Sequence, residues 1–112
     1  MASPVLNTEL VLESPERVVD TGGGVDIVWA PVGTHWADVE PMSARETLIG
    51  GREVARVTHR ITIRSAPANS PRRPRADCRF RSGERVFAIR GVADADRQNR
   101  YLTCWAEEGA FS

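Results

Sequence analysis

The sequence predicts an all-β domain, a small antiparallel barrel or sandwich of about six or seven strands with one short helix. Short β-branched and apolar runs alternate with clusters of Gly, Pro, Asn and Asp, and no apolar repeat of helical period lasts the ~10 residues a helix needs. A length of 112 residues is enough for one hydrophobic core spanning residues 1–112 without a disulfide or metal staple.

The first strand is expected over residues 8–20, TELVLESPERVVD, with Pro15 marking a bend or an edge because it has no N–H to give a ladder. TGGGVD at 21–26 is a flexible hairpin connection; it lacks the lysine and the following helix of a phosphate-binding loop. Two strands follow, at 25–30 and 34–40, joined across Pro31-Val32-Gly33, and Trp29 and Trp36 are expected to seed the core. Ser43 followed three residues later by Glu46 resembles a capping box, which predicts a short helix within 42–54, MSARETLIGGREV. Gly50-Gly51 should stop it after about two turns. A helix this short is marginal in isolation and must be held by packing or by a partner.

The clearest strand is 57–64, VTHRITIR, whose alternation puts Val57, His59, Ile61 and Ile63 on one face and Thr58, Arg60, Thr62 and Arg64 on the other. A Pro- and Arg-rich loop at 65–76 contains the stretch SPRRPR. A hairpin then resumes at 78–80, turns at Ser82-Gly83 and continues through 86–92, with Phe87 and Ile89 on one face. The last strand, 101–106, follows the turn DADRQN at 94–99, where turn-forming Asp94 and Asp96 are more economical than a cation site.

The net charge is zero but unevenly placed. Residues 1–51 carry two Arg against eight acids, whereas residues 52–112 carry thirteen Arg against seven, and Lys is absent. A GC-rich coding sequence explains the all-Arg usage more economically than a function does. Between Arg52 and Arg90 eleven Arg face three acids, enough to hold nucleic acid non-specifically if they converge on one surface. Stacking aromatics are thin there, and no RNA-recognition or finger motif occurs. SPRRPR is therefore read first as a solvated or assembly-contacting loop, second as DNA-proximal, and last as a proline-rich ligand.

Nothing specifies an active site. His59 is expected as a hydrogen-bonded core histidine, and His35 is isolated in sequence. Cys78 and Cys104 lack the paired spacing of a zinc site and sit where small buried thiols are ordinary. The amino terminus has neither the basic nor the apolar region of a secretory leader, and no run is long enough to span a membrane, so a reduced cytoplasmic protein without cofactor or metal is expected.

The stretches DTGGGVDIVW, HWADVEPMSARE, VTHRITIR and GERVFAIRGVADADRQNRYLTCWAEE, in this order from about Leu6 to Glu108, together resemble the head-tail joining (head-completion) proteins of long-tailed bacteriophages, neck proteins also called stoppers or head-closure proteins. The Arg-rich, Lys-free style and the ending RYLTCWAEE are further similar to the version in alphaproteobacterial gene transfer agents. The resemblance implies a non-enzymatic, barrel-like subunit repeated in a six-fold ring in the neck of a virion or phage-like particle assembled in the bacterial cytoplasm. Portal and adaptor proteins would lie on the head side, a tail terminator or tail tube protein on the tail side, and packaged double-stranded DNA in the channel.

In that family the segment after the W-A-x-V-x-P strand closes the channel. Carried onto this chain it is 43–56, with gate residues Ser43, Ala44, Arg45, Glu46, Leu48, Ile49, Gly50, Gly51 and Arg52. Arg60, Arg64, Arg72, Arg73 and Arg75 are expected at an assembly interface on the ring periphery, and acids such as Glu40 or Glu46 are expected to meet Arg on the next subunit. The Gly-Gly pair inside the gate and the long loop at 65–76 depart from many relatives. A tail-terminator ring and a small OB-like nucleic-acid module are the rival readings.

Overall fold

The computed structural model describes residues 3–42, 48–49, 52–53 and 57–109. Eight strands run in chain order: β1 (Thr8–Val19), β2 (Val25–Pro41), β3 (Leu48–Ile49), β4 (Arg52–Glu53), β5 (His59–Arg64), β6 (Arg79–Ser82), β7 (Arg85–Asp94) and β8 (Tyr101–Glu108). Six of them close an antiparallel barrel in the order β1-β2-β5-β8-β7-β6, and β3 and β4 form a separate two-stranded ladder. The all-β expectation holds, and closure leaves the barrel itself no open edge.

Each barrel strand sends alternate residues inward. Leu10 and Leu12 come from β1, Ala37 from β2, Ile61 and Ile63 from β5, Phe80 from β6, Phe87 and Ile89 from β7, and Leu102, Cys104 and Ala106 from β8; none is more than 1% exposed. The alternation read from VTHRITIR is the observed one, with Ile61 and Ile63 inside and Arg64 exposed. The turns are also where turn chemistry put them. Asp20 Oδ1 accepts the N–H groups of Gly22 and Gly24 at 2.9 and 2.8 Å, and Gly23 takes φ +86°, a conformation open to glycine. At the last turn, Asp96 accepts both the N–H and the Nε–H of Arg100 at 2.9 Å.

Three expectations are corrected. The strands at 25–30 and 34–40 are one continuous strand, because a bulge at Val32 absorbs the Pro31-Gly33 irregularity: Leu12 pairs with Gly33 and Glu13 with Pro31. The tryptophans do not seed the core. Trp36 is 56% exposed and Trp29 only partly buried, because both fall on the outward phase of β2. The predicted helix end is also replaced, since Leu48 pairs with Glu53 and Ile49 with Arg52, and a two-residue Gly-Gly spacer suits strand reversal as well as helix termination. The capping box of Ser43 and Glu46 lies outside the described residues, among which no helix occurs.

β6 pairs with β1 only at Val11, Leu12 and Glu13. Beyond Glu13, β1 and β2 continue as a two-stranded ribbon to the Asp20–Gly24 turn, and residues 16–28 are all exposed. The ribbon is consistent with the elongated shape of the chain, 54 × 28 × 25 Å.

Candidate docking surfaces

Folding brings two acids of the first half, Glu13 and Glu40, against arginines of the second. Glu13, from the acidic half, lies between Arg79 and Arg81, accepting from their Nε–H groups at 2.7 and 2.9 Å. Burial alone would raise the Glu13 carboxyl, but hydrogen bonds from Arg81 and Arg79 outweigh it and hold the group below the ordinary carboxylate range. The Arg79 guanidinium also lies 4.3 Å from the ring centre of Trp29, so one cluster joins β1, β2 and β6 where the ribbon leaves the barrel. Arg60 meets Glu40 at 3.5 Å, Arg85 grips Glu108 with two bonds of 2.6 and 3.0 Å, and Arg90 meets Glu107 at 2.6 Å.

Glu40, expected to reach a neighbouring subunit, is thus engaged by an arginine of its own chain, and Glu46 lies outside the described residues. Of the nine described arginines between Arg60 and Arg90, seven are paired with a carboxylate, which counts against a nucleic-acid module. Among the described residues, Arg17, Arg64, Arg72 and Arg97 have no carboxylate within ion-pair distance.

The loop carrying SPRRPR is folded down onto the barrel. Pro74 is fully buried, so the Pro71-x-x-Pro74 spacing is not displayed as an extended ligand. Arg72 donates to the Thr34 carbonyl at 2.7 Å and crosses Gly33 so closely that a Cβ there would lie 2.8 Å from its Nη1. Arg73 donates to the Ala66 carbonyl at 2.9 Å, and Arg75 reaches Asp77 and Ser14 at 3.3 Å. Of the five arginines expected at an interface, then, four hold their own chain, and only Arg64 makes neither a hydrogen bond nor an ion pair among the described residues; it lies 6.0 Å from the Tyr101 ring centre.

Both histidines serve the barrel. His35 is buried beside Phe80 and its Nε2 lies 2.8 Å from the Arg72 carbonyl, which can only accept, so Nε2 carries the proton. Burial lowers the pKa of His35, and that of His59 too, against a smaller opposing effect of Glu108. His59 is hydrogen-bonded as expected but lies at the margin of the core: it is partly buried, packs edge-on to Phe87, and has Nδ1 2.9 Å from the Thr58 hydroxyl and Nε2 3.6 Å from Glu108. Cys78 and Cys104 are buried free thiols; burial pushes both up, Cys104 to about 12, away from nucleophilic use. Among the described residues no group of three His, Cys, Asp or Glu is placed to hold a metal.

Two surfaces were not foreseen. One is a shallow cavity of ≈ 170 Å³ lined by Leu6, Thr34, His35, Trp36, Arg64 and Arg72. The other is the ribbon, where Val18, Val19, Val25, Ile27 and Val28 are 46–71% exposed. The proposed gate segment lies mainly outside the described residues, but its boundaries are clear: Pro41 pairs with His59, and Met42 donates to the Thr58 carbonyl at 2.9 Å.

No curated protein matches the sequence significantly. Among solved structures, the chain is similar to one from the virion of a native gene transfer agent particle, with 41% identity, a TM-score of 0.74 and coverage of 95% of this chain and 97% of that one. It is also similar to the solution structure of a protein from Shigella flexneri 2a, with 26% identity, a TM-score of 0.74 and complete coverage of both chains. The sequence profile of the phage head completion proteins matches residues 1–109, and the chain belongs to that family.

Proposed function

We propose that this chain is a structural, non-catalytic neck protein, assembled as a ring between the portal and adaptor proteins of a DNA-filled head and the tail terminator or tube. In that ring, segment 43–56 closes the channel over the packaged DNA, and the barrel wall supplies the tail docking surface. The observation that carries this reading is the family match along the chain, joined to 41% identity with a chain of a gene transfer agent virion.

The barrel adds physical support. The excursion at 43–56 leaves β2 and re-enters at β5 through positions that are directly paired, so its two ends are held together by the wall. An insertion clamped in this way can change shape without disturbing the barrel ladder, as a channel closure requires. Particles assembled without this chain test the reading: heads are expected to lose DNA and to stay tailless. Heads that retain DNA and join tails normally would sink it, and recovery of the chain on isolated tails but not on filled heads would make it a tail-terminator ring instead.

A further inference from the structure

The pairing register assigns each ribbon residue to a face, since residues directly opposite in an antiparallel pair lie on the same side. One face carries the pairs Pro15/Trp29, Arg17/Ile27 and Val19/Val25; the other carries Ser14/Ala30, Glu16/Val28 and Val18/Asp26. The first is apolar except for Arg17, the second mixed and acidic, and from residue 16 to residue 28 both are exposed. At the tip, Asp20 uses one carboxylate oxygen to hold the turn amides, and Asp26 makes no ion pair among the described residues. The arm therefore ends in valines flanked by acids, a poor match for DNA or an anionic membrane and a good one for an apolar protein pocket with cationic walls.

The same chain carries such a pocket. In the cavity beside β2, the 56%-exposed indole of Trp36 stands next to Leu6 and is flanked by exposed Arg64 and Arg72, neither with a carboxylate partner among the described residues. An exposed tryptophan ringed by arginines has the composition of an interface hot spot. The arm cannot reach the pocket of its own chain. Trp36 pairs with Glu9 and the tip lies beyond Val19, so ten residues of extended strand, about 30 Å, separate them.

We propose that the ribbon tip of one copy docks into the Trp36–Arg64–Arg72 cavity of a second copy. Val19 and Val25 pack on the indole, and Asp20, at the turn, faces the guanidinium groups; Asp26, on the other face of the ribbon, adds negative charge at the tip. Because arm and pocket are different surfaces, the contact is head to tail and propagates from copy to copy, closing into a ring when the rotation allows. The inference rests on the ring reading above and supplies its subunit contact.

Two complementary variants of the full chain test it. Val25→Ser with Asp26→Arg breaks the arm and keeps the pocket; Trp36→Ala with Arg64→Glu breaks the pocket and keeps the arm. The four substituted side chains are on the outside, so dispersed amide spectra are expected of both variants, and Arg64→Glu alone serves if the double variant unfolds. With the arm variant isotopically labelled and the unlabelled pocket variant added, the Trp36 indole N–H and the Arg64 and Arg72 signals should shift and saturate by about 1 mM. Each variant alone should show no concentration dependence at those signals. Silence at that concentration, or shifts that appear in either variant alone, would overturn the contact, as would a particle neck whose ribbon lies on a different protein. DNA retention by heads lacking the chain tests the neck reading separately, so either result can fail while the other stands.

Discussion

The barrel and the ribbon are built from the same two strands, yet they treat apolar side chains in opposite ways. On the barrel stretch of β1, Leu10 and Leu12 are 0% exposed; farther along the same strand, Val18 and Val19 are 46% and 71% exposed. The residues are chemically alike. What differs is the strand beside them, for β6 has only four residues and pairs with β1 at Val11, Leu12 and Glu13 alone. Past that point two strands bury neither face, and a lone two-stranded ribbon is marginal in water. Burial in this molecule is set by how far closure extends along β1, not by where the hydrophobic residues are, and what lies past closure is available to something else.

The largest effect should come from breaking the barrel side of the comparison. Phe80→Ala removes the one inward aromatic of β6, fully buried against the inward residues of the other strands, and should cost about 3–5 kcal/mol in denaturant unfolding. A loss of only a few tenths would show that the interior relaxes as freely as the ribbon, and the contrast would disappear.

The junction comes next. Glu13→Gln keeps the shape of the side chain but removes the charge that Arg79 and Arg81 share, leaving two guanidinium groups near each other. Charge-assisted hydrogen bonds to a buried group are worth about 1.5–3 kcal/mol, and since Arg81 is 40% exposed the lower part of that range is expected. Because Arg79 also stacks on Trp29, the ribbon should become easier to cleave by protease near its base than in the unaltered chain. Unchanged cleavage with reduced stability would place the cluster in the barrel alone.

Much of the barrel was legible in the sequence because alternation and turn chemistry are local. VTHRITIR shows its two faces directly, and TGGGVD and DADRQN turn where glycine and aspartate permit. The outward phase of Trp36 was legible as well, since it alternates in step with Asp38 and Glu40 while His35, Ala37 and Val39 take the other phase, and on a strand period decides orientation over side-chain bulk. The helix expected after Met42 rested on Ser43 and Glu46, a local signal with no information about the pairing of Leu48–Ile49 with Arg52–Glu53.

Other features depend on partners distant in the chain. Glu13 finds Arg79 and Arg81 only because β6 closes on β1, a contact between the acidic and basic halves that the order of residues does not reveal. The ribbon was hidden for the same reason: nothing in TELVLESPERVVD tells where β6 will stop. The family, by contrast, was legible because order and spacing of short stretches survive where single motifs are weak.

Acid titration sharpens the comparison with smaller effects. Burial lowers His35 and His59 in the folded chain, so as pH falls through 6.5 the unfolded chain takes up protons first and stability declines until the folded imidazoles are also charged. Glu13 and Glu108 have the opposite role. Their folded values lie below 4.5, so the stability they contribute is present above that pH and is lost as pH falls through the lowered folded values. Denaturant midpoints measured from pH 8 to pH 3 should therefore show two successive declines, the first flattened by His35→Gln and the second by Glu13→Gln. All four groups belong to the barrel or its junction, so both declines should persist unchanged when only the ribbon tip is altered.

The smallest effect is expected at the ribbon tip, and its smallness is the point. Val19→Thr with Val25→Thr keeps β-branched shape and strand preference while replacing methyl groups with hydroxyls that water can reach. At positions 71% and 57% exposed, the pair of changes should move the unfolding free energy by no more than about 0.5 kcal/mol. Inside the barrel, Ile61→Thr leaves a hydroxyl at a fully buried site, removes one further carbon, and should cost several-fold more. If the two substitutions cost the same, the ribbon valines are already covered in the isolated chain and cannot be waiting for a second copy. If the ribbon pair is silent in unfolding yet weakens docking between the complementary arm and pocket chains, those apolar side chains serve assembly and not folding, which is the division that the early end of β6 imposes.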